Sequence, residues 1–213
     1  MSYWIEISLA LFEGFKLSLW VYLLTLVFAM PLGFVLALIT EKFPKSKAMI
    51  LFFTWVMRGT PLLLQLYVTM YALPLIIPMR LDRLSAGAIT FILNYSAYYT
   101  EIFRSGLSII PIGQSQAAKV LGMKERQIVW YILLPQMIRN TLLPLINEAI
   151  TLVKDTALLA AIALAELLRN AKEIVSRDLR VDALFIAALF YLGFSLCVVL
   201  IGKQLEHRVL RRV

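Results

Sequence analysis

The chain holds a single cysteine, Cys197, and a single histidine, His207, among its 213 residues. One thiol excludes an internal disulfide and any multi-cysteine metal site. Cys197 sits in an apolar run and reads as a core or lipid-facing residue. His207 lies in the basic tail Lys203–Arg212 and reads as solvated. Charge is scarce: 16% of residues are charged, against about 25% in an ordinary soluble domain. Acids are scarcer than bases, with 13 Asp and Glu against 21 Lys and Arg, for a net charge of +8. No G-x-x-x-x-G-K-[ST] run occurs, which excludes the usual P-loop for ATP. No H-E-x-x-H pair, catalytic constellation, internal repeat or low-complexity tract is present. The chain therefore reads as neither an enzyme nor a metal or cofactor carrier. Met1–Ala10 lacks a basic leader segment, and Glu6 interrupts it, so it reads as retained rather than as a cleaved signal.

What the chain has in abundance is apolar surface. Hydrophobic residues make up 61% of it and the mean hydropathy is +0.83. A soluble fold of this size would expose large apolar patches, so lipid is the natural solvent. The basic residues cluster in short loops between long apolar runs, which fits membrane orientation and not nucleic-acid binding. Segments at about Gly14–Ile39, Ala48–Leu73, Leu84–Leu107, Ile128–Leu152 and Ala183–Ile201 are each long enough to cross about 30 Å of hydrocarbon as a helix. The second is interrupted at Arg58-Gly59-Thr60-Pro61 and closed by Pro74 and Pro78; the fourth contains Pro135 and Pro144. The reading is an all-α membrane protein with five transmembrane helices, forming one domain over residues 1–213. The loops holding Lys42–Lys47 and Arg104–Arg126 and the tail Lys203–Arg212 are richer in basic residues than the opposite side. That places the N-terminus outside and the C-terminus in the cytoplasm. Between spans, Lys154–Asp182 lies outside and includes the apolar run Thr156–Leu168, which fits a short helix at the surface.

The cytoplasmic loop 108–127 contains Gln116-Ala117-Ala118-Lys119-Val120-Leu121-Gly122. Its good helix formers end at Gly122, where a left-handed residue is cheap. A short helix with small exposed residues suits docking against another backbone, and an ordinary connecting helix fits the periodicity as well. The same stretch, with Ile132, Leu134 and Pro135, resembles the EAA motif of permeases of bacterial binding-protein-dependent ABC importers. Gln116 stands where that family usually has glutamate. Arg58-Gly59-Thr60-Pro61-Leu62-Leu63-Leu64-Gln65, Ala97-Tyr98-Tyr99-Thr100-Glu101-Ile102-Phe103-Arg104 and Lys154-Asp155-Thr156 resemble motifs of its polar amino-acid subgroup, in order along the chain.

The resemblance implies a type I ABC importer permease fold in a bacterial cytoplasmic membrane, working as a dimer with itself or a related subunit. It implies a coupling helix, carried by Gln116, Ala117, Ala118, Leu121 and Gly122, that docks on cytoplasmic ATPase subunits holding ATP and Mg. It also implies an extracytoplasmic binding protein that delivers the substrate.

Polar residues inside spans are expensive and tend to face a cavity or a partner. Arg58 suits a bidentate grip on a carboxylate or an ion pair that fixes packing, and Pro61 frees backbone groups beside Thr60. Asn94, Tyr98 and Glu101 share one helix face; Glu101 fits an ammonium, or an ion pair with Arg104. Asn147, Glu148, Thr151 and Asp155 recur near one stripe of the fourth span, and Asp155 also suits an N-cap. Together these residues are the candidate substrate site. The acids Glu101, Glu148 and Asp155 favour arginine, lysine or histidine. The competing reading is an ion-gradient-driven secondary amino-acid transporter with Glu101 or Asp155 as proton carrier. Five spans without an inverted repeat disfavour it.

Overall fold

A computed structural model describes residues 3–77 and 80–210. Pro78, Arg211 and Arg212 lie outside the described residues. The elements are α1 (Tyr3–Lys42), α2 (Pro44–Gly59), α3 (Leu62–Tyr67), a π-helical turn (Val68–Ala72), α4 (Leu73–Ile76), α5 (Arg83–Ser108), α6 (Ile112–Val120), α7 (Glu125–Ile128), a second π-helical turn (Val129–Leu133), α8 (Leu134–Asp155), a 3₁₀ helix (Thr156–Ile162), α9 (Leu167–Asp178) and α10 (Asp182–Leu210). The five spans are therefore α1, the broken set α2 to α4, α5, the set α7 to α8, and α10. Helices α1 and α10 are apolar enough to cross a membrane unaided, and the second span bends by 102° at its break.

Helix α1 packs closely along α5 because small residues line their contact. Ala29, Gly33 and Ala37 recur every four residues and are all buried, the spacing that lets helix backbones approach in lipid. A Cβ on Gly33 would lie 2.6 Å from Tyr99 Cβ and 2.9 Å from the Ser96 carbonyl and Thr100 amide. Two of those contacts are backbone and cannot give way. Gly33→Val is therefore expected to destabilise the protein by about 1–3 kcal/mol or more. A thermal-shift measurement in detergent should show a fall of about 2–10 °C. Hydroxyls on α1 return to their own helix, as Thr25 to the Val21 carbonyl at 2.8 Å and Thr40 to that of Leu36 at 2.8 Å. These two hydroxyls are thereby satisfied within the span.

Both π-helical turns end two residues before a proline, Pro74 and Pro135. Proline has no N–H and its ring crowds the carbonyl four residues back. A wider turn accommodates that ring without breaking the span.

Outside the spans, the run expected as one short helix splits. The 3₁₀ helix covers Thr156–Ile162 and stops at left-handed Ala163. Helix α9 then buries Leu167, Ala171 and Ile174 against Ile7 and Leu11 of α1 and Ala183 and Ala187 of α10. Glu166 caps α9, its carboxylate accepting from Leu168 N at 2.8 Å and Arg169 N at 2.6 Å and from the Tyr191 hydroxyl at 3.0 Å. It is fully buried, and burial pushes its carboxyl above the ordinary carboxylate range. At the start of α5, Asp82 accepts from Leu84 N and Ser85 N. The Ser85 hydroxyl bond holds the Asp82 carboxyl below its usual range.

The loop after α5 forms α6, Ile112–Val120, closed by a Schellman arrangement: Met123 N donates to the Ala118 carbonyl and Gly122 N to that of Lys119. Gly122 has φ +78, so the expected glycine stop is where the sequence places it. The two alanines divide their roles. Ala117 is exposed, whereas Ala118 is buried and faces the permease itself. The outward face is finished by Val120 and Leu121, 87% and 82% exposed. Gln136 of α8 donates to Gln114 of α6 at 2.6 Å, tying this helix to the fourth span.

Candidate functional site

The break in the second span creates the site. Pro61 ends the α2 hydrogen-bond ladder, and the carbonyls it leaves free are claimed by two amides. Gln65 Nε2 donates to the Met57 carbonyl at 2.9 Å and to Thr60 Oγ1 at 2.7 Å. Asn94 Nδ2, arriving from α5, donates to the same Met57 carbonyl at 2.9 Å and to Gln65 Oε1 at 3.0 Å. Asn94 is thus a clamp on the break. Asn94→Leu is expected to cost about 1–3 kcal/mol, because it leaves Gln65 Oε1 without its donor. The lowered unfolding temperature should be accompanied by normal membrane insertion.

Beside the clamp opens a cavity of about 490 Å³, lined by Arg58, Thr60, Asn94, Tyr95, Tyr98, Glu148, Thr151 and Asp155 among others. A larger cavity of about 1010 Å³ lies between α1, α8 and α10 and is apolar. Only the smaller one gathers convergent polar groups, the usual mark of a ligand site. The Arg58 guanidinium lies 5.5 Å over the Tyr98 ring, a cation–π position that holds it at the cavity wall. Glu148 and Asp155 stand seven residues apart, two turns along the same face of α8. Neither has an ion-pair partner among the described residues. Asp155 Oδ2 accepts from the Tyr95 hydroxyl at 2.7 Å. That bond, and the lack of any side-chain cap bond on the following 3₁₀ helix, set aside the N-cap reading of Asp155.

Arg58, Thr60, Asn94, Tyr98, Glu148, Thr151 and Asp155 therefore come together, and Glu101 and Asn147 do not line the cavity. Glu101 takes the other of its two readings. Its Oε2 accepts from Arg104 Nη2 at 2.7 Å and Nε at 3.1 Å, and its Oε1 accepts from Thr54 of α2 at 2.9 Å. Arg58 Nη1 stands 3.9 Å from Glu101 Oε2. The carboxylate is engaged through both oxygens and joins α2 to α5. Asn147 is exposed on α8, where its carbonyl accepts from Thr151 at 3.1 Å. Tyr95 was not among the sequence candidates. It falls one residue beyond Asn94, on the side of α5 that turns toward α8.

The matched family model, for the binding-protein-dependent transport system inner membrane component, covers residues 29–211. The chain is similar to the arginine transport system permease protein ArtQ of Bacillus subtilis, 33% identical over 199 residues, spanning 92% of this chain and 91% of that one. It is similar to the glutamine transport system permease protein GlnP of Escherichia coli, 34% identical over 203 residues, spanning 93% and 92%. Among solved structures it resembles an amino acid ABC transporter with histidines, with a TM-score of 0.86, 30% identity and 96% of each chain covered. The inward-facing MetNI methionine ABC transporter, at 16% identity and a TM-score of 0.74, shares the fold. With the family model matching most of the chain and relatives aligned along nearly all of it, the protein belongs to the inner-membrane components of binding-protein-dependent transport systems.

Proposed function

We propose that this chain is the membrane-spanning permease of an ATP-driven importer of polar amino acids, favouring the cationic ones, arginine, lysine or histidine. The observation that carries the reading is the charge arrangement around the cavity: Arg58 on one wall, Glu148 and Asp155 unpaired on another. A guanidinium grips an α-carboxylate, one acid takes the α-ammonium, and the second acid suits a cationic side chain. The arginine and glutamine relatives and the transporter with histidines support the amino-acid class.

Energy comes from a separate ATPase that holds ATP and Mg, since the chain has no P-loop. The exposed Val120–Leu121–Gly122 knob docks on it and moves the spans between inward- and outward-open states. An external binding protein delivers the amino acid. A second copy or related subunit covers the polar cavity, because carboxylates facing lipid are costly. The N-terminus lies outside and the C-terminus in the cytoplasm.

The test is reconstitution with the ATPase and binding protein, followed by ATP hydrolysis and uptake across the twenty amino acids. Stimulation by arginine, lysine or histidine is the expected result. Stimulation by neutral amino acids alone overturns the cationic preference. Uptake by the chain alone, abolished by an uncoupler, overturns the ATP-driven reading.

A further inference from the structure

The apolar cavity of about 1010 Å³ between α1, α8 and α10 plays no part in the transport reading. Along α10 it runs from Ile186 to Leu205, about 28 Å at the helical rise and so close to the hydrocarbon thickness. Its walls are hydrocarbon apart from the buried Tyr22 and the thiol of Cys197. The groove is open at Gly193 of α10, where a Cβ would meet nothing within 4 Å. At the end nearer α6, α8 and α10 close together, with Gly202 against Ile146.

Two arginines flank that end. Arg208 lies three and seven residues beyond Leu205 and Ile201, on the groove face of α10. Arg139 lies three and seven residues before Leu142 and Ile146 of α8. Both are exposed, and neither has an ion-pair partner among the described residues. Glu206, the acid nearest in sequence, falls on the far side of α10 by helical period.

We infer that this groove is the site of one anionic phospholipid, its acyl chain along α1, α8 and α10 and its phosphate at Arg139 and Arg208. A second copy of the chain is the weaker occupant. Glu148, Thr151 and Asp155 lie on another side of α8 from Leu142, Ile146 and Ala149, and it is that polar side a second copy must seal. Paired cations at the mouth of an apolar slot also match a charged headgroup, whereas an apolar helix would leave them idle. The leaflet is the one on the α6 side, cytoplasmic under the orientation proposed above.

The full-length chain, extracted in a maltoside detergent, is examined by native mass spectrometry and by maleimide labelling of Cys197. Phosphatidylglycerol should be retained in preference to phosphatidylcholine and should slow Cys197 labelling. Two arginines at a headgroup are worth about thirtyfold in that preference, and the Arg139→Gln/Arg208→Gln double variant should lose it. Gly193→Phe, which projects into open space, should expel lipid of both kinds. Equal retention of the two lipids by wild type overturns the proposal, as does unchanged retention in Gly193→Phe. If that variant fails to fold, labelling of wild-type Cys197 decides, and a rate indifferent to phosphatidylglycerol overturns the proposal. A Cys197 cross-link between two chains under mild oxidation overturns it in favour of a second copy. None of these readouts depends on which amino acid is carried or on what drives its transport.

Discussion

Gly122→Asp is expected to reduce substrate-stimulated ATP hydrolysis by the assembled transporter to its unstimulated rate while the permease still inserts and folds. A Cβ on Gly122 would meet nothing of this chain within 4 Å, so the fold does not require glycine there for space. The backbone does sit at φ +78, and aspartate is among the residues that tolerate that region, at about 1–3 kcal/mol of local strain. What the substitution changes is the outside. Gly122 follows Val120, the last residue of α6, and Leu121, its C-cap, both highly exposed. Under the proposed docking, a charge at the tip of that knob must be desolvated where it meets the ATPase. Because Gln136 binds Gln114 and Ala118 is buried, a knob that fails to seat also fails to push α8, which carries Glu148 and Asp155. Co-purification with the ATPase and substrate-stimulated hydrolysis both at wild-type levels would show that this helix does not couple.

The second large effect separates the two walls of the cavity. Arg58→Met should weaken uptake of every amino acid by about a hundredfold or more, the cost of leaving a desolvated carboxylate without its partner. Glu148→Gln should weaken the uptake of arginine and lysine far more than that of neutral amino acids, if any are carried. The contrast follows from chemistry common to all substrates at Arg58 and particular to cations at Glu148. Uptake kinetics for a matched panel of charged and neutral amino acids read it directly. Equal losses for all substrates in both variants would mean that the charges hold helices together and do not sort cargo. Glu101→Gln is an internal contrast. Glu101 does not line the cavity, but its charge faces Arg104 and Arg58, so its loss should lower stability and affect all substrates alike.

The spans were legible because lipid demands long apolar runs. Helix α5 keeps its expected bounds to within a residue, whereas α1 starts eleven residues before the expected Gly14 and α10 runs nine residues past the expected Ile201, because helices continue beyond the apolar stretch that marks them. Helix α6 and its glycine stop were legible from Gly122. Helix α9 was not sought, since Arg169, Lys172, Glu173 and Arg177 hide its period; Leu167, Ala171 and Ile174 at spacings of four and three were the available signal. The π-helical turns leave no pattern of their own beyond the prolines that follow them. In the site, reading Asn94, Tyr98 and Glu101 as one face was correct in angle. Seven residues also advance about 10 Å along the axis, which carries Glu101 past the cavity to Arg104 and Thr54. Tyr95 faces α8, a neighbour that periodicity within α5 cannot reveal.

The 102° bend has a consequence for how the chain is made. Until α5 arrives, the Met57 carbonyl and the exposed turn at Thr60 and Pro61 have only Gln65 to satisfy them, and Asn94 is still inside the ribosome. A broken segment in that condition is a poor candidate to enter lipid alone. The second and third spans should therefore leave the insertion machinery together as a hairpin, sealed at the moment Asn94 meets Met57.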